Sequence, residues 1–444
     1  MKRLVTVCSL LVFFFSFSFA QKQWTLEECI QHAIDNNITI RQLGLQKEIT
    51  EIELNTSRMN RLPNLNAGVG QNWNFGRLET EAGLYENTSQ SNSNLSVSSS
   101  IPVFTGFRIP NEIERNKLEL KAAIENMEKA KEDLALNVAS LYLQVLFNKE
   151  LLMISEEQLA LSKEQIVKTK ALVDAEKIAM SQLYDIEAQV ANDEVSVIQA
   201  SNNLKLSLLD LAQSLELQDF SKFDIASPVI NDAITEYTNS VQSPPIIYNQ
   251  ALAVKPVIKE QEYRIQSAEK SLKIAQAGYL PTVDLGIGYG TNYFLYLKDG
   301  VNNASFSDQF NKNSHEYIRL NLNIPIFNRF SVRNQVRTAR INIQNQELSL
   351  DNVKKTLFKE IQTAYLNATA AQEKYRASER AVKSTSESFK YAKERYEVGK
   401  FSVFELNESR TNYIRSRSEE IQAKYDYIFR AKILDFYKGI PIGL

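Results

Sequence analysis

The sequence predicts a mainly α-helical chain with two pairs of β-strands, arranged as two tandem strand–strand–long helix–helix repeats. Glycine and proline are scarce among the 444 residues, at 14 and 10. Both are absent from residues 111–227 and again from residues 326–398. Because both residue types interrupt helices, these gaps predict two very long helices. A segment of alternating apolar and polar residues precedes each gap, which is typical of a strand.

Residues 1–20 have the features of a signal peptide. Lys2 and Arg3 precede an apolar run at residues 4–19, and Ser18-Phe19-Ala20 fits a small-x-small cleavage site. The alternative is an uncleaved anchor, but the run is short for a membrane helix and polar residues follow it at once. The rest of the sequence has no apolar run long enough for a membrane helix. Any membrane insertion of the mature chain would therefore use strands.

The first predicted repeat covers residues 21–228 and opens with a helix. Thr25 and Glu28 have the spacing of a capping box, so this helix is expected from Trp24 to about Arg61. A proline shortly afterwards is expected to end it.

Two segments of this repeat alternate over roughly the length of a membrane strand. They lie at about residues 64–75 and 94–104, with an exposed polar loop expected between them at residues 76–93. Pro102 is expected to close the second strand, because proline has no amide hydrogen for the strand ladder. The polar positions are mainly Asn, Ser and Gly. They suit a water-filled lumen better than the outer face of a soluble hairpin, which is the alternative.

A helix predicted from about residue 111 to residue 173 would span roughly 90–100 Å at 1.5 Å per residue. Its apolar residues recur at spacings of three, four or seven, as in coiled-coil packing. A reversal at residues 174–180 and a second helix at residues 181–217 complete the first repeat.

The second repeat, residues 229–444, has the same order of elements. They are a helix at 247–277, strands at about 283–295 and 316–327 around a polar loop at 298–314, a helix to 396, a reversal at 397–400 and a helix to 437. At one constant offset, Tyr142 aligns with Tyr365 and Lys177 aligns with Lys400. The chain therefore contains one structural unit twice.

Four strands are too few to close a membrane barrel within one chain. Open strand edges are not tolerated in lipid, and the smallest membrane barrels have about eight strands. A barrel shared by two copies would have about eight strands and a filled interior, whereas three copies would give about twelve and leave a lumen. The strand pattern alone leaves both arrangements open.

The composition argues against nucleic-acid binding and against catalysis. The formal net charge is −2 and there is no basic block. His32 and His315 lack the spacing of metal ligands, and Cys29 has no partner for a disulfide in the mature chain. There is no phosphate-binding loop and no nucleophile elbow. We therefore expect neither an enzyme nor a bound metal or cofactor.

Several repeated motifs resemble those of the TolC-like outer membrane efflux protein family, the outer membrane factors. They are the Leu-Pro pairs at 62–63 and 280–281, the Ile-Pro-(Val/Ile)-Phe segments at 101–104 and 324–327, and Tyr-Glu-Val-Gly at 396–399. The resemblance implies a homotrimer, with a 12-stranded β-barrel in the outer membrane continued by a long periplasmic α-helical barrel. It also implies an outer-membrane channel of a tripartite efflux or type I secretion system.

That resemblance implies two partners besides outer-membrane lipid: a periplasmic adaptor (membrane fusion) protein and an inner-membrane pump. Most of the chain would lie in the periplasm. The alternative from the helices alone is a periplasmic coiled-coil adaptor or structural protein, which would leave four membrane-length strands unexplained. The exported substrate, the adaptor and the pump are not specified by the sequence.

The family places its periplasmic gate at the second helical reversal. Carried onto this sequence, the gate residues are Tyr396, Glu405 and Glu408. Phe401 stands where the best-known member has an arginine that forms a latch, which leaves that latch open to question here and an aromatic closure as the alternative. The two glutamates lie one turn apart on a helix face. In a trimer they would form a ring that favours cations and raises carboxylate pKa values by mutual repulsion, unless they are ordinary solvated residues.

Two further sets of residues are assigned to the strands and their ends. Pro102 and Phe104, with Pro325 and Phe327 in the second repeat, are expected to mark the junctions from barrel to helix. Aromatic residues near strand ends suit either an interfacial belt or core packing. They are Trp73, Phe75, Tyr289, Tyr293, Phe294 and Tyr296.

Overall fold

The computed structural model describes residues 23–79, 83–219, 223–228, 242–297 and 302–443. The predicted signal peptide lies outside them. In chain order the elements are β1 (Gln23–Trp24), α1 (Leu26–Asn36), α2 (Ile38–Met59), β2 (Asn66–Glu79), β3 (Tyr85–Phe104), α3 (Arg108–Asp174), α4 (Met180–Ser214), β4 (Asp224–Ile225), α5 (Pro244–Val254), α6 (Pro256–Ala277), β5 (Thr282–Tyr296), α7 (Phe306–Lys312), β6 (His315–Asn323), α8 (Ser331–Glu397) and α9 (Val403–Tyr437).

The two repeats have matching helix lengths. Helices α3 and α8 each contain 67 residues, and α4 and α9 each contain 35. The predicted fold class, mainly α with two tandem strand–strand–long helix–helix repeats, is confirmed. In the part of the chain that the structure describes, no helix is both long enough and apolar enough to cross a bilayer.

The helices predicted at residues 24–61 and 247–277 are each broken in two. Asn37 leaves the helical conformation, with φ −59° and ψ 130°. Its side-chain oxygen accepts hydrogen bonds from the amides two and three residues later, at 2.9 and 3.2 Å, so it caps α2. In the second repeat Pro256 disfavours helical backbone at Lys255, whose φ and ψ are −69° and 127°.

The first hairpin is longer than predicted. Strand β2 continues to Glu79 and β3 begins at Tyr85, so the polar loop expected at residues 76–93 is wrong. Phe75, for example, pairs with Ser89. Cross-strand pairing outweighs the low strand propensity of Asn and Ser, which is why composition alone indicated a loop.

The strand ends differ from the prediction at both junctions. Strand β3 passes through Pro102 to Phe104, and its pairing with β5 shifts between these two residues. Pro102 therefore lies at a bulge and does not end the strand. Strand β6 ends at Asn323, so Pro325 and Phe327 lie beyond the strand that was predicted to contain them.

The polar loop predicted at residues 298–314 contains helix α7. Two side-chain amides, one in α7 and one before it, form the hydrogen bonds that a partner strand would otherwise make with the end of β5. Gln309 Oε1 accepts from Phe294 N at 2.9 Å, and Gln309 Nε2 donates to Phe294 O at 2.8 Å. Asn303 makes the same pair of bonds with Tyr296, at 2.8 and 3.0 Å. Backbone groups that β6 does not reach are thus satisfied.

The four long strands form one antiparallel sheet in the order β2-β3-β5-β6. Pairing of β3 with β5 joins the hairpin of the first repeat to that of the second. The outer edges of β2 and β6 have no partner strand within the described ranges. The sheet is therefore open at both edges.

The chain divides into two compact units that cut across the tandem repeats. One contains residues 1–42, 127–255 and 354–444, and the other contains residues 43–126 and 256–353. The predicted repeat boundary between residues 228 and 229 remains a prediction.

Helix packing around a short parallel strand pair forms the core of the first unit. Tyr142 Oη donates to Ala226 O at 2.7 Å and lies 3.2 Å from Trp24 O, next to the pairing of β1 with β4. Cys29 is fully buried in this cluster, as expected of a small apolar residue.

Candidate functional site

The two helical reversals have the same backbone geometry. Lys177 N donates to Leu172 O, and Lys400 N donates to Arg395 O, both at 2.9 Å. The residue before each lysine has left-handed backbone, with φ of 56° and 71°. This is the Schellman arrangement that ends a helix, and it explains why Lys177 aligns with Lys400 in sequence.

A cleft of about 710 Å³ lies between the two reversals. Tyr396 and Phe401, both assigned to the gate, line it together, whereas Glu405 and Glu408 do not. The larger apolar and aromatic side chains of the lining are Leu161, Leu172, Ile178, Phe389, Tyr396, Phe401 and Leu406. The structure thus brings the two aromatic gate residues together and separates them from the two carboxylates.

Phe401 is half-buried and contacts a cation. The Arg395 guanidinium carbon lies 5.2 Å from the centre of the Phe401 ring. This distance is within the range of a cation–π interaction. An aromatic ring at this position therefore holds an arginine from the preceding helix, α8, across the reversal.

Glu405 has a defined role at the start of α9. Its Oε2 accepts from Ser402 N at 2.7 Å and from Ser402 Oγ at 2.8 Å, and Glu405 N donates to Ser402 Oγ at 3.3 Å. This is a complete capping box. The hydrogen bonds from the Ser402 backbone and hydroxyl lower the pKa of Glu405. Mutual repulsion in an assembled ring would act in the opposite direction, so the cap opposes the expected rise.

Glu408 is exposed one turn further along α9. Within the residues that can be described, no group of three or more His, Cys, Asp or Glu side chains is arranged to hold a metal ion. The predicted carboxylate ring therefore depends on more than one copy of the chain.

Sequence reasoning missed a buried ion pair two residues beyond Glu408. Arg410 Nη2 lies 2.8 Å from Asp193 Oδ2 and donates to Gln158 O at 3.1 Å. Ser162 hydrogen-bonds to both Arg410 and Asp193. The pair thus joins α3, α4 and α9. A detectable signal existed, because Arg410 continues the three-and-four spacing of buried residues in α9.

Burial dominates the electrostatics of the Arg410 guanidinium. It lowers the pKa of Arg410, while the Asp193 carboxylate acts in the opposite direction. Arg410 Nε and Nη1 are buried and have no hydrogen-bond partner among the described atoms. Gln165 Nε2 and Thr169 Oγ1 on α3, and Asn407 Oδ1 on α9, are also buried without a hydrogen-bond partner among the described atoms.

The two junctions repeat one local structure. Phe104 and Phe107 pack edge to face with ring centres 5.3 Å apart, and Phe327 packs against Phe330 in the same way at 5.5 Å. In each pair the second phenylalanine and the residue before it have left-handed backbone: Gly106 and Phe107 at the first junction, Arg329 and Phe330 at the second. The junction residues Phe104 and Phe327 therefore occupy equivalent positions, although Pro102 lies in a strand and Pro325 does not.

One face of the sheet is apolar and exposed. Val69 and Ile318 are both 81% exposed, and Trp73 and Phe75 are 60% and 74% exposed. Tyr293, also assigned to an aromatic belt, instead packs against Phe306 of α7 at 5.2 Å. Several large apolar side chains thus share one exposed face, which is typical of a surface that meets a membrane or a partner.

The family model for outer membrane efflux proteins matches residues 29–216 and 247–436. The chain is 22% identical to the outer membrane protein TolC of Escherichia coli, over 93% of this chain and 81% of TolC. A crystal structure of CusC, described in terms of transmembrane channel formation, superposes with a TM-score of 0.78 at 19% identity, over 94% of this chain and 92% of CusC. The structure of the CmeC outer membrane channel of Campylobacter jejuni superposes with a TM-score of 0.73 at 17% identity, over 94% of this chain and 86% of CmeC. From the family model and this shared fold, the chain belongs to the outer membrane efflux protein family.

Proposed function

We propose that three copies of this chain form an outer-membrane channel that serves as the passive exit duct of a tripartite efflux or type I secretion system. The observation that carries this proposal is the open four-stranded sheet with one exposed apolar face. In lipid, unpaired strand edges are too costly to persist. Strand β6 of one copy would pair with β2 of the next, and three copies would close a barrel of about twelve strands.

Exposed apolar stripes on the helices support the same assembly. On α4, Tyr184, Val195, Ile198, Leu206 and Leu209 are exposed, and Ile198 is 67% exposed. Their spacing is close to a heptad pattern, as in a helix seam that packs against another helix. We expect a neighbouring copy of the chain to pack against this stripe, because symmetry then buries the same surface in all three copies.

Helix α2 carries a second stripe of this kind. Leu45, Ile49, Ile52 and Met59 are between 48% and 61% exposed and recur at spacings of four, three and seven. The helices of three copies would then form the periplasmic α-helical barrel. The first-repeat reversal, with Lys177 exposed, is a surface for the periplasmic adaptor, which connects the channel to the inner-membrane pump.

The gate is proposed at the second-repeat reversal. Tyr396 and Phe401 line the cleft between the reversals, and Glu405 and Glu408 are exposed at the start of α9. Threefold symmetry would place six carboxylates around one axis, which favours cations. Transport energy would come from the pump, and no catalytic group of this chain is required.

The alternative of a periplasmic coiled-coil adaptor is disfavoured by the family match, which covers most of both repeats. The relatives named above are outer membrane proteins or channels and not adaptors. Such an adaptor would also have no use for a sheet with an exposed apolar face.

Cell fractionation and gel mobility test the proposal. The protein is expected in the outer membrane, migrating on an unheated denaturing gel as a trimer that heating converts to a monomer. Ile198→Glu is expected to weaken the trimer because it places a charge in the α4 seam, whereas Gln199→Glu on the adjacent exposed position serves as the control. A soluble periplasmic monomer would contradict the channel.

A further inference from the structure

We propose that His315, Tyr317 and Arg319 of β6 form an anion-contacting ridge on the polar face of the sheet. The ridge would select organic anions, with aromatic carboxylates as the preferred class. This inference rests on the proposed function in one respect, because it requires the polar face to line the lumen.

The strand register places the ridge above a floor of small residues. On β5, Gly290, Gly288 and Gly286 lie directly opposite His315, Tyr317 and Arg319. On β3 the same three rows continue with Ser96, Ser98 and Ser100. In these three rows β6 thus carries the largest side chains on the polar face.

Two of the glycines lie directly beneath the rings of Tyr317 and His315. A methyl group built on Gly288 would lie 2.5 Å from Tyr317 Cζ, and one on Gly290 would lie 3.0 Å from His315 Cε1. Any larger residue on β5 would displace these rings. The glycines therefore leave room for Tyr317 and His315 over the neighbouring strand; His315 is exposed and Tyr317 is half-buried.

Arg319 extends this row of rings with a cation. Its guanidinium carbon lies 5.2 Å from the centre of the Tyr317 ring. The His315 and Tyr317 ring centres are 6.5 Å apart, with an angle of 27° between the ring planes. Stacking on an aromatic face orients a guanidinium while leaving its in-plane N–H donors free.

No carboxylate neutralises Arg319 in the described structure. Its side chain is exposed and forms no ion pair with any described residue. The acidic residue on this face of β5, Asp284, lies beyond the glycine row, opposite Asn321. A free planar guanidinium matches carboxylate and phosphate oxygens in a bidentate geometry. The adjacent rings add a stacking surface for an aromatic ligand.

Three copies around a lumen would place three guanidinium groups at one level. Such a ring attracts anions and repels cations, as charged rings do in other pores. The sign is opposite to that of Glu405 and Glu408 at the proposed gate. The effect should be largest at low ionic strength, because about 0.1 M salt screens exposed charges beyond roughly 10 Å.

Reversal potentials in planar bilayers test the ridge. In a potassium chloride gradient, Arg319→Gln is expected to lower the chloride-to-potassium permeability ratio by about twofold or more, because a ring of three charges is removed. Arg319→Lys keeps the charge but loses the planar fork. It should therefore retain the chloride ratio and lose the preference for benzoate over acetate.

The outcomes separate the two proposals. Wild-type protein that forms no pores contradicts the proposed channel. Pores of unchanged ion preference in Arg319→Gln, with the trimer intact on an unheated gel, overturn the ridge and leave the channel standing. Arg333→Gln is the matched control, because Arg333 is also exposed and lies over an aromatic ring, Phe330, at 5.7 Å, but on α8.

Discussion

Arg410 Nη2 lies 2.8 Å from Asp193 Oδ2, and the two side chains are only 2% and 7% exposed. The same helix, α9, carries a second cross-helix pair between Arg417 and Glu157, at 2.7 Å, whose side chains are 29% and 53% exposed. The two pairs have similar geometry and differ in burial. They provide a direct comparison of a buried ion pair with an exposed one.

Asp193→Ala is expected to destabilise the protein by about 3–5 kcal/mol, because it leaves the buried Arg410 without a negatively charged partner. Glu157→Ala, which opens the exposed pair, should cost at most about 1 kcal/mol. Denaturant unfolding of the detergent-solubilised protein measures both. The double variant Arg410→Met with Asp193→Leu should recover most of the lost stability. Equal effects of the two alanine substitutions would contradict the assigned role of burial.

Glu405 is proposed to act in the gate and also caps α9, so the two roles must be tested separately. Replacing Glu405 and Glu408 with Gln should lower the preference for cations over anions and weaken block by divalent cations, because it removes the ring of carboxylates and keeps the side-chain volume. Ser402→Ala removes the cap and costs about 1 kcal/mol, but keeps both carboxylates. Ser402→Ala should therefore leave divalent block unchanged. If Ser402→Ala reproduces the effect of the double variant, the carboxylates are not the gate.

The cap of α9 should depend on pH with a defined sign. Hydrogen bonds from Ser402 lower the pKa of Glu405 from its usual value of 4.5. The stabilising contribution is therefore fully present above pH 4.5 and is lost as the pH falls through the lowered pKa. The protection of the first amides of α9 against hydrogen exchange, relative to the intrinsic rate at each pH, should fall in that acidic range. The Glu405→Gln variant should lack this step, and an identical pH profile in that variant would refute the assignment.

The long helices were predictable because their signal is extended over many residues. Dozens of consecutive positions without Gly or Pro leave few alternatives to α3 and α8. The upper part of the first hairpin was not predictable in this way. Asn and Ser at residues 86–93 are typical of loops, and only their pairing with β2 and β5 makes them strand. The side-chain amides of Gln309 and Asn303 bond to backbone groups of β5, at Phe294 and Tyr296, and no local sequence pattern marks these contacts.

Some features of the candidate site were likewise predictable from the sequence, and others were not. The reversals followed from Gly399 and from the internal repeat, and the structure places them where they were predicted. Arg410 was overlooked because charged residues on a helix are usually exposed. Its position in the apolar register of α9 was the available signal. The ridge on β6 depended on strand register, which fixes that Tyr317 lies opposite Gly288, and register is not readable from one strand alone.

Three glycines provide a graded test of the junction between β3 and α3. Gly106 has φ of +62°, and a methyl group there would lie 2.7 Å from Ala277 O. Gly399 has φ of +71° but open space around the methyl position, and Gly44 lies within α2 with open space and ordinary helical backbone. Alanine at Gly399 should cost about 1–2 kcal/mol from backbone strain alone. Alanine at Gly106 should cost about 1–3 kcal/mol more, since it also overpacks the junction.

Gly44→Ala should instead stabilise the protein by about 0.5–1 kcal/mol, because alanine favours the helix and restricts the unfolded chain. Denaturant unfolding gives the order Gly44→Ala, wild type, Gly399→Ala, Gly106→Ala from most to least stable. Gly106→Ala should also reduce the yield of the heat-labile trimer, since the first long helix leaves the sheet at this residue. If Gly106→Ala is no less stable than Gly399→Ala, close packing at the junction does not constrain the path of the chain there.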